Sequence, residues 1–107
     1  MTTTTDIVIA ADHPAFAGHF PGDPIVPGVL LLDETLHAIG RITGISVERC
    51  TLSAVKFRHV VRPGEPLTLR FDAAGSHGLR FELSSAGQPV ASGSIAFAPL
   101  AEVAHGA

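Results

Sequence analysis

One imidazole and one carboxylate, His19 and Asp33, bracket the segment His19-Phe20-Pro21-Gly22-Asp23-Pro24-Ile25-Val26-Pro27-Gly28-Val29-Leu30-Leu31-Leu32-Asp33. An imidazole and an acid held where water is scarce can take and return protons on a small organic substrate. A stiff Pro/Gly turn and an apolar run separate the two groups. Residue types and spacing together point to an enzyme.

The elements that must position this pair follow from the punctuation around it. Residues 13–27 hold four prolines and two glycines, too many for regular structure, and read as an ordered loop. Residues 29–42 form the one convincing helix: Leu32, Leu36 and Ile39 repeat at helical spacing, and Gly40 and Gly44 offer stop signals. Two starts compete. In one, Asp33 caps a helix that begins at Glu34, but Leu36 then stands where a capping box wants Glu or Gln. In the other, which the sequence favours, Pro27 takes the first helical position, where its fixed φ fits and its missing N–H costs nothing. Asp33 then lies more than a turn inside an apolar helix wrapped on most sides, where burial would raise its pKa and let it donate a proton. Gly28 is left with an unpaired N–H at the positive end of the helix. Such a donor stabilises a carbonyl oxygen that gains negative charge. Base, oxyanion donor and acid then suit abstraction of a proton beside a carbonyl, followed by loss of a β-hydroxyl.

Outside the helix the period changes to two. Residues 6–10 (Asp-Ile-Val-Ile-Ala) read as a first strand and 46–61 as a long second one, closed by Arg62-Pro63-Gly64-Glu65. Residues 67–71, 79–83 and 90–97 alternate, with Gly-bearing turns between them, and predict an antiparallel meander. Gly93 is a candidate bulge. The sum is an α+β domain, one greasy helix against about five antiparallel strands. Residues 1–107 read as a single domain with frayed ends at 1–5 and 98–107.

Bulk properties exclude several classes. The 46% hydrophobic content in 107 residues favours burial against a second copy. No apolar run reaches the roughly 18–20 residues of a membrane span. The polar, threonine-rich start lacks the basic opening of a signal peptide, and Cys50 is the single cysteine, so a reducing cytoplasm is expected. A net charge of −3 argues against nucleic acid. Six histidines raise the question of a metal, yet no His, Cys or acid spacing matches a zinc site. His13, His59, His77 and His105 read as surface or turn residues. Lys56 and Arg58 alternate on one strand face with Phe57 between them as a core residue, and Arg62 follows.

The run from His19 to Leu30 resembles the signature of the 3-hydroxyacyl-acyl-carrier-protein dehydratases, H-F-P-G-x-P-I/V-x-P-G-V-L, followed by an acid at the position of Asp33. Lys56-Phe57-Arg58 and Arg62-Pro63-Gly64-Glu65 are similar to the family's basic-Phe-basic and P-G-acid strand end. The resemblance implies the hotdog fold, a long central helix wrapped by an antiparallel sheet. It implies His19 as catalytic base, Asp33 as acid and Gly28 as backbone donor to the thioester carbonyl, with Phe20 and Val29 beside the substrate. It also implies a homodimer, or a higher homo-oligomer, whose sites take histidine and acid from different subunits. The acyl group would arrive on the phosphopantetheine of an acyl carrier protein, with Lys56, Arg58 and Arg62 as either a docking patch or a plain solvated edge, and no cofactor is implied. The chain's length is similar to that of the dehydratases of aryl polyene clusters.

One departure bears on the chemistry. Where the family's acid is commonly followed by Ala-Met-x-Gln, this chain reads Glu34-Thr35-Leu36-His37. His37 falls one turn from Asp33, as a second-shell group that either orients the acid or, protonated, holds it ionised. Glu34, rotated by about 100°, should point away from what Asp33 faces. The expected reaction is conversion of a 3-hydroxyacyl thioester to the trans-2-enoyl thioester in fatty-acid or polyene-type biosynthesis. A hotdog thioesterase and a non-catalytic acyl-binding subunit are the competing readings.

Overall fold

In a computed structural model of the chain, residues 2–9, 25–46 and 49–97 are described. Strand β1 (Thr3–Ile7) precedes helix α1 (Gly28–Thr43), and four strands follow: β2 (Cys50–Phe57), β3 (Leu67–Ala73), β4 (Gly78–Ser85) and β5 (Gln88–Phe97). They form one antiparallel sheet in the order β1-β3-β4-β5-β2, so β3, β4 and β5 are the expected meander and β2 is an edge strand. The α+β arrangement agrees with the sequence. Period-two alternation sends Leu67, Leu69, Phe71, Leu79, Phe81 and Leu83 into a single core, where they meet Leu31, Ala38 and Ile39 of α1.

Several boundaries differ from expectation. The first strand begins three residues earlier than residue 6, and Thr3–Thr5, expected to fray, pair with Phe71, Arg70 and Leu69. Threonine is polar but β-branched, which suits a pleated edge. The second strand is shorter than 46–61. After Phe57 the chain leaves the ladder, with the Arg58 and His59 N–H groups both turned to the Val90 carbonyl at 2.7 and 3.4 Å. The buried stripe of α1 runs through Leu31, Thr35, Ala38 and Ile39, while Leu32 and Leu36 are only partly buried. Thr35 is tolerated there because its hydroxyl donates to the Leu31 carbonyl at 2.8 Å. Gly44, at φ 78°, ends the helix with its N–H on the Gly40 carbonyl, so the second of the two expected stop signals is the one used.

Gly93 is not itself bulged. Ser53 pairs with Ser94 and Lys56 with Ser92, so Ala54 and Val55 of β2 together face Gly93. The extra residue belongs to the edge strand, and Ala54 there adopts φ 53°. Gly93 instead yields space: a Cβ on it would stand 2.8 Å from Cε2 of Phe81 and 3.2 Å from Cγ2 of Val55.

The turn closing on Glu65 is tied down from two sides. The Arg62 N–H donates to Glu65 Oε1 at 3.1 Å, and the Ser85 hydroxyl donates to Oε2 at 2.6 Å. The Gly64 N–H reaches the Ile9 carbonyl at 2.7 Å. The Ser85 bond, then the Arg62 N–H, hold the Glu65 carboxyl below its ordinary pKa against a small opposing effect of burial.

Candidate active site

The helix start decides the geometry of the site. Pro27 is not the first helical residue but the cap, with φ −61° and ψ 145°, and its carbonyl accepts from Leu30 and Leu31 at 3.0 and 3.2 Å. Helix α1 therefore opens at Gly28. The Gly28 and Val29 N–H groups have no acceptor within the helix, and among the described residues no side chain caps it. The helix start is displaced by one residue from the predicted one.

Asp33 is the sixth residue of α1, about 7.5 Å along the axis from Gly28 at 1.5 Å per residue. It is not a cap, which removes the competing helix start. Its expected burial is not found in the single chain: Asp33 is exposed. Val29, Asp33, His37 and Arg41, spaced one turn apart, are all exposed, and Val29 reaches 80%. The sheet covers one side of α1 and leaves this stripe open, so the helix is not wrapped on most sides. Glu34 is half-buried, on a different side of the helix from Asp33. His19 and Phe20 lie outside the described residues, as do His13 and His105. His59 and His77 are exposed, as expected.

Phe57 corrects the sequence reading. Expected in the core, it is 51% exposed at the end of the edge strand. Its ring is aimed at the helix start, so that a Cβ on Gly28 would lie 2.8 Å from Cζ and 3.0 Å from Cε1.

The model of the ApeI-like family, described as ApeI dehydratase, matches residues 1–94. The chain belongs to the ApeI-like dehydratases. The 3-hydroxyacyl-(acyl-carrier-protein) dehydratase FabZ of Chlamydia trachomatis serovar L2 is 36% identical over 102 residues, covering 83% of this chain and 67% of its own. The FabZ of Chloroflexus aggregans is 39% identical over 70 residues, 58% of this chain and 48% of its own. Among solved structures, the dehydratase heterocomplex ApeI:P from Xenorhabdus doucetiae superposes with TM-score 0.74 at 25% identity, over 92% of this chain and 88% of that one. The fluoroacetyl-CoA thioesterase FlK superposes with TM-score 0.57 at 14% identity, over 99% and 91%, a likeness of fold alone. The hotdog fold implied by the motif is thus shown.

The ApeI-like dehydratase also carries a charged groove of about 440 Å³ on the sheet face away from the helix. Lys56 and Arg58 line it, as their alternation suggested, but Arg62 does not, being part of the Glu65 turn. Arg70 and Arg80 take its place beside Asp72 and Glu82, so four of the chain's seven Lys and Arg residues share one face. These two arginines were not singled out in the sequence. The signal was present in the alternation Leu67-x-Leu69-x-Phe71 and Leu79-x-Phe81-x-Leu83, which sends Arg70, Asp72, Arg80 and Glu82 outward together. Among the described residues no helix is long and apolar enough to cross a membrane.

Proposed function

We propose that this ApeI-like dehydratase converts a 3-hydroxyacyl group, carried as a thioester on an acyl carrier protein, to the trans-2-enoyl thioester and water. His19 takes the proton from C2. The electrons move toward the thioester oxygen, held by the Gly28 N–H, and then form the C2–C3 double bond. Asp33 gives its proton to the departing hydroxyl, which leaves as water. The elimination is redox-neutral and needs no cofactor beyond the phosphopantetheine that carries the substrate.

The observation that carries this reading is the relation of Gly28 to Asp33. Two backbone donors without an acceptor in the helix and a carboxylate lie on one helix, about 7.5 Å apart along its axis, with the acid more than a turn inside. That is a span on which a carbonyl and a β-hydroxyl of one acyl group can lie.

The exposed stripe supports a shared site. In a single chain Asp33 faces water. A second copy laid over Val29, Asp33 and His37 would desolvate the acid and bring its own His19 to it. In this reading the protein is a cytoplasmic homodimer, or a higher homo-oligomer, in fatty-acid or polyene-type synthesis. Phe20 and Val29 contact the acyl group, His37 supports Asp33, and Lys56 and Arg58 guide the acidic carrier.

The purified protein is tested with short and long 3-hydroxyacyl thioesters, following enoyl absorbance and free thiol together. Enoyl product with no thiol release supports dehydration. Thiol without enoyl product would replace it with a thioesterase.

A further inference from the structure

Phe57 has no part in the chemistry so far, yet the fold takes trouble to aim it. Leu52 pairs with Ile95 on the inner face of the sheet and Ser53 with Ser94 on the outer face. Without an irregularity, strict alternation would put Lys56 inward and Phe57 outward. The extra residue at Ala54–Val55 reverses this: Lys56 pairs with Ser92 on the outer face and Phe57 with the buried Ala91 on the inner one. The reversal is kept although Ala54 adopts φ 53°, a left-handed conformation costly for a residue with a Cβ.

The result is an aromatic ring against the Cα of Gly28. The position is fixed on both sides, by the Val26 N–H to the Val61 carbonyl at 2.7 Å before the helix and by the Arg58 N–H to the Val90 carbonyl at 2.7 Å after the strand. Glycine at residue 28 lets the ring sit where it does, since a Cβ would meet its edge at 2.8 Å. Even so, half of Phe57 stays exposed.

We propose that Phe57 is a substrate-contact residue that forms the apolar wall beside the Gly28 amide and holds the thioester carbonyl against it. This rests on the dehydratase reading of the same site. A carbonyl oxygen accepting from the Gly28 N–H lies alongside a ring packed on the Gly28 Cα. There the ring displaces water from the donor and so strengthens its hydrogen bond to the developing oxyanion. Because the contact is made at the reacting end, it acts alike on short and long acyl chains.

The chain has no Trp and no Tyr, which allows a direct test. Phe57→Trp introduces a single indole, and Val60→Trp, at the exposed Val60 three residues on, serves as its control. Each is titrated with 3-hydroxybutyryl-N-acetylcysteamine. Phe57→Ala and Phe57→Leu are assayed on short and long substrates, with solution mass measured in parallel. The expected result is a saturable emission change for Phe57→Trp and none for Val60→Trp. For Phe57→Ala, kcat/KM falls about tenfold, less than for a deleted oxyanion donor, to the same extent at every chain length. Phe57→Leu recovers most of the loss, and the mass is unchanged. An emission of Phe57→Trp indifferent to saturating ligand would overturn the proposal. So would a Phe57→Ala loss confined to long chains, or one that disappears at high protein concentration because the ring only joins subunits. If the unsubstituted protein makes no enoyl product, the dehydratase reading fails while the tryptophan titration still decides the role of Phe57.

Discussion

Asp33 and His37 stand one turn apart on the exposed side of α1, both open to solvent in the single chain and joined by no hydrogen bond there. Glu34, the neighbouring carboxylate, is half-buried on another side of the helix. Position on the helix thus distinguishes the two carboxylates, and substitution tests which of them is the acid. Asp33→Asn is expected to lower enoyl formation by about 10²–10⁴-fold, the usual worth of a general acid, and His19→Ala by a similar factor. Glu34→Gln should stay within about threefold of the parent, a change of under 1 kcal/mol in the barrier. A dead Glu34→Gln beside an active Asp33→Asn would move the acid by one residue and displace Asp33 from the mechanism.

His37 fills the place where the motif commonly has glutamine. If it supports Asp33 by a hydrogen bond, glutamine can make the same bond and alanine cannot. His37→Gln should then keep parental activity. His37→Ala should lose about 2–10-fold, equivalent to one ordinary hydrogen bond. Rates of both variants beside the parent are the measurement. A His37→Gln protein faster than the parent would show instead that His37 hinders the acid.

Much of the fold was legible in the sequence because its strands alternate cleanly. Leu67, Leu69 and Phe71, then Leu79, Phe81 and Leu83, name both the faces and the meander. The failures have physical causes. Strand β1 was set too late because four threonines look like a polar tail until Phe71, Arg70 and Leu69 supply a partner. Phe57 was assigned to the core because its neighbours alternate, but the bulge two residues before it resets the faces and the edge of the sheet leaves it half open. Asp33 was read as buried from the apolar residues beside it in sequence. Among the described residues none covers it. Lys56 and Arg58 were recognisable as a pair, whereas Arg70 and Arg80 join them only through the pairing of β3, β4 and β5.

The Glu65 turn gives a pH dependence of stability with a definite sign. Its folded pKa is lowered, chiefly by the Ser85 hydroxyl. The bonds therefore stabilise the fold fully above the ordinary glutamate pKa and are lost as pH falls through the lower folded value. Ser85→Ala should cost about 1 kcal/mol at neutral pH, and Glu65→Gln should flatten the acid limb. Urea unfolding midpoints from pH 3 to 7 test both, and an acid limb unchanged by Glu65→Gln would remove this carboxylate from the account.

Gly28 leaves room for the ring packed above it. Gly28→Ala places a Cβ 2.8 Å from Cζ of Phe57, but the half-exposed ring can swing aside. The stability cost should therefore stay near the lower end for overpacking, about 1 kcal/mol. Activity is expected to fall further than stability, because the wall beside the donor is displaced. Combining Gly28→Ala with Phe57→Leu, which relieves the clash, should recover part of the stability loss. Additive stability effects in this pair would mean that the two residues do not press on each other.

The shared site makes an arithmetical prediction. If His19 of one subunit works with Asp33 of the other, His19→Ala and Asp33→Asn proteins are each inactive alone. In an equal mixture that exchanges subunits freely, half of the dimers are mixed. Each mixed dimer has one site with both groups intact and one with neither. About a quarter of all sites, and so about a quarter of parental activity, should return on mixing under closed two-fold symmetry. The recovery should follow the rate of subunit exchange and vanish when exchange is blocked by cross-linking before mixing. A mixture that stays inactive although mixed dimers are demonstrated by mass would place both groups of a site on one chain. The open stripe of Val29, Asp33 and His37 would then have to be covered by something other than a second copy.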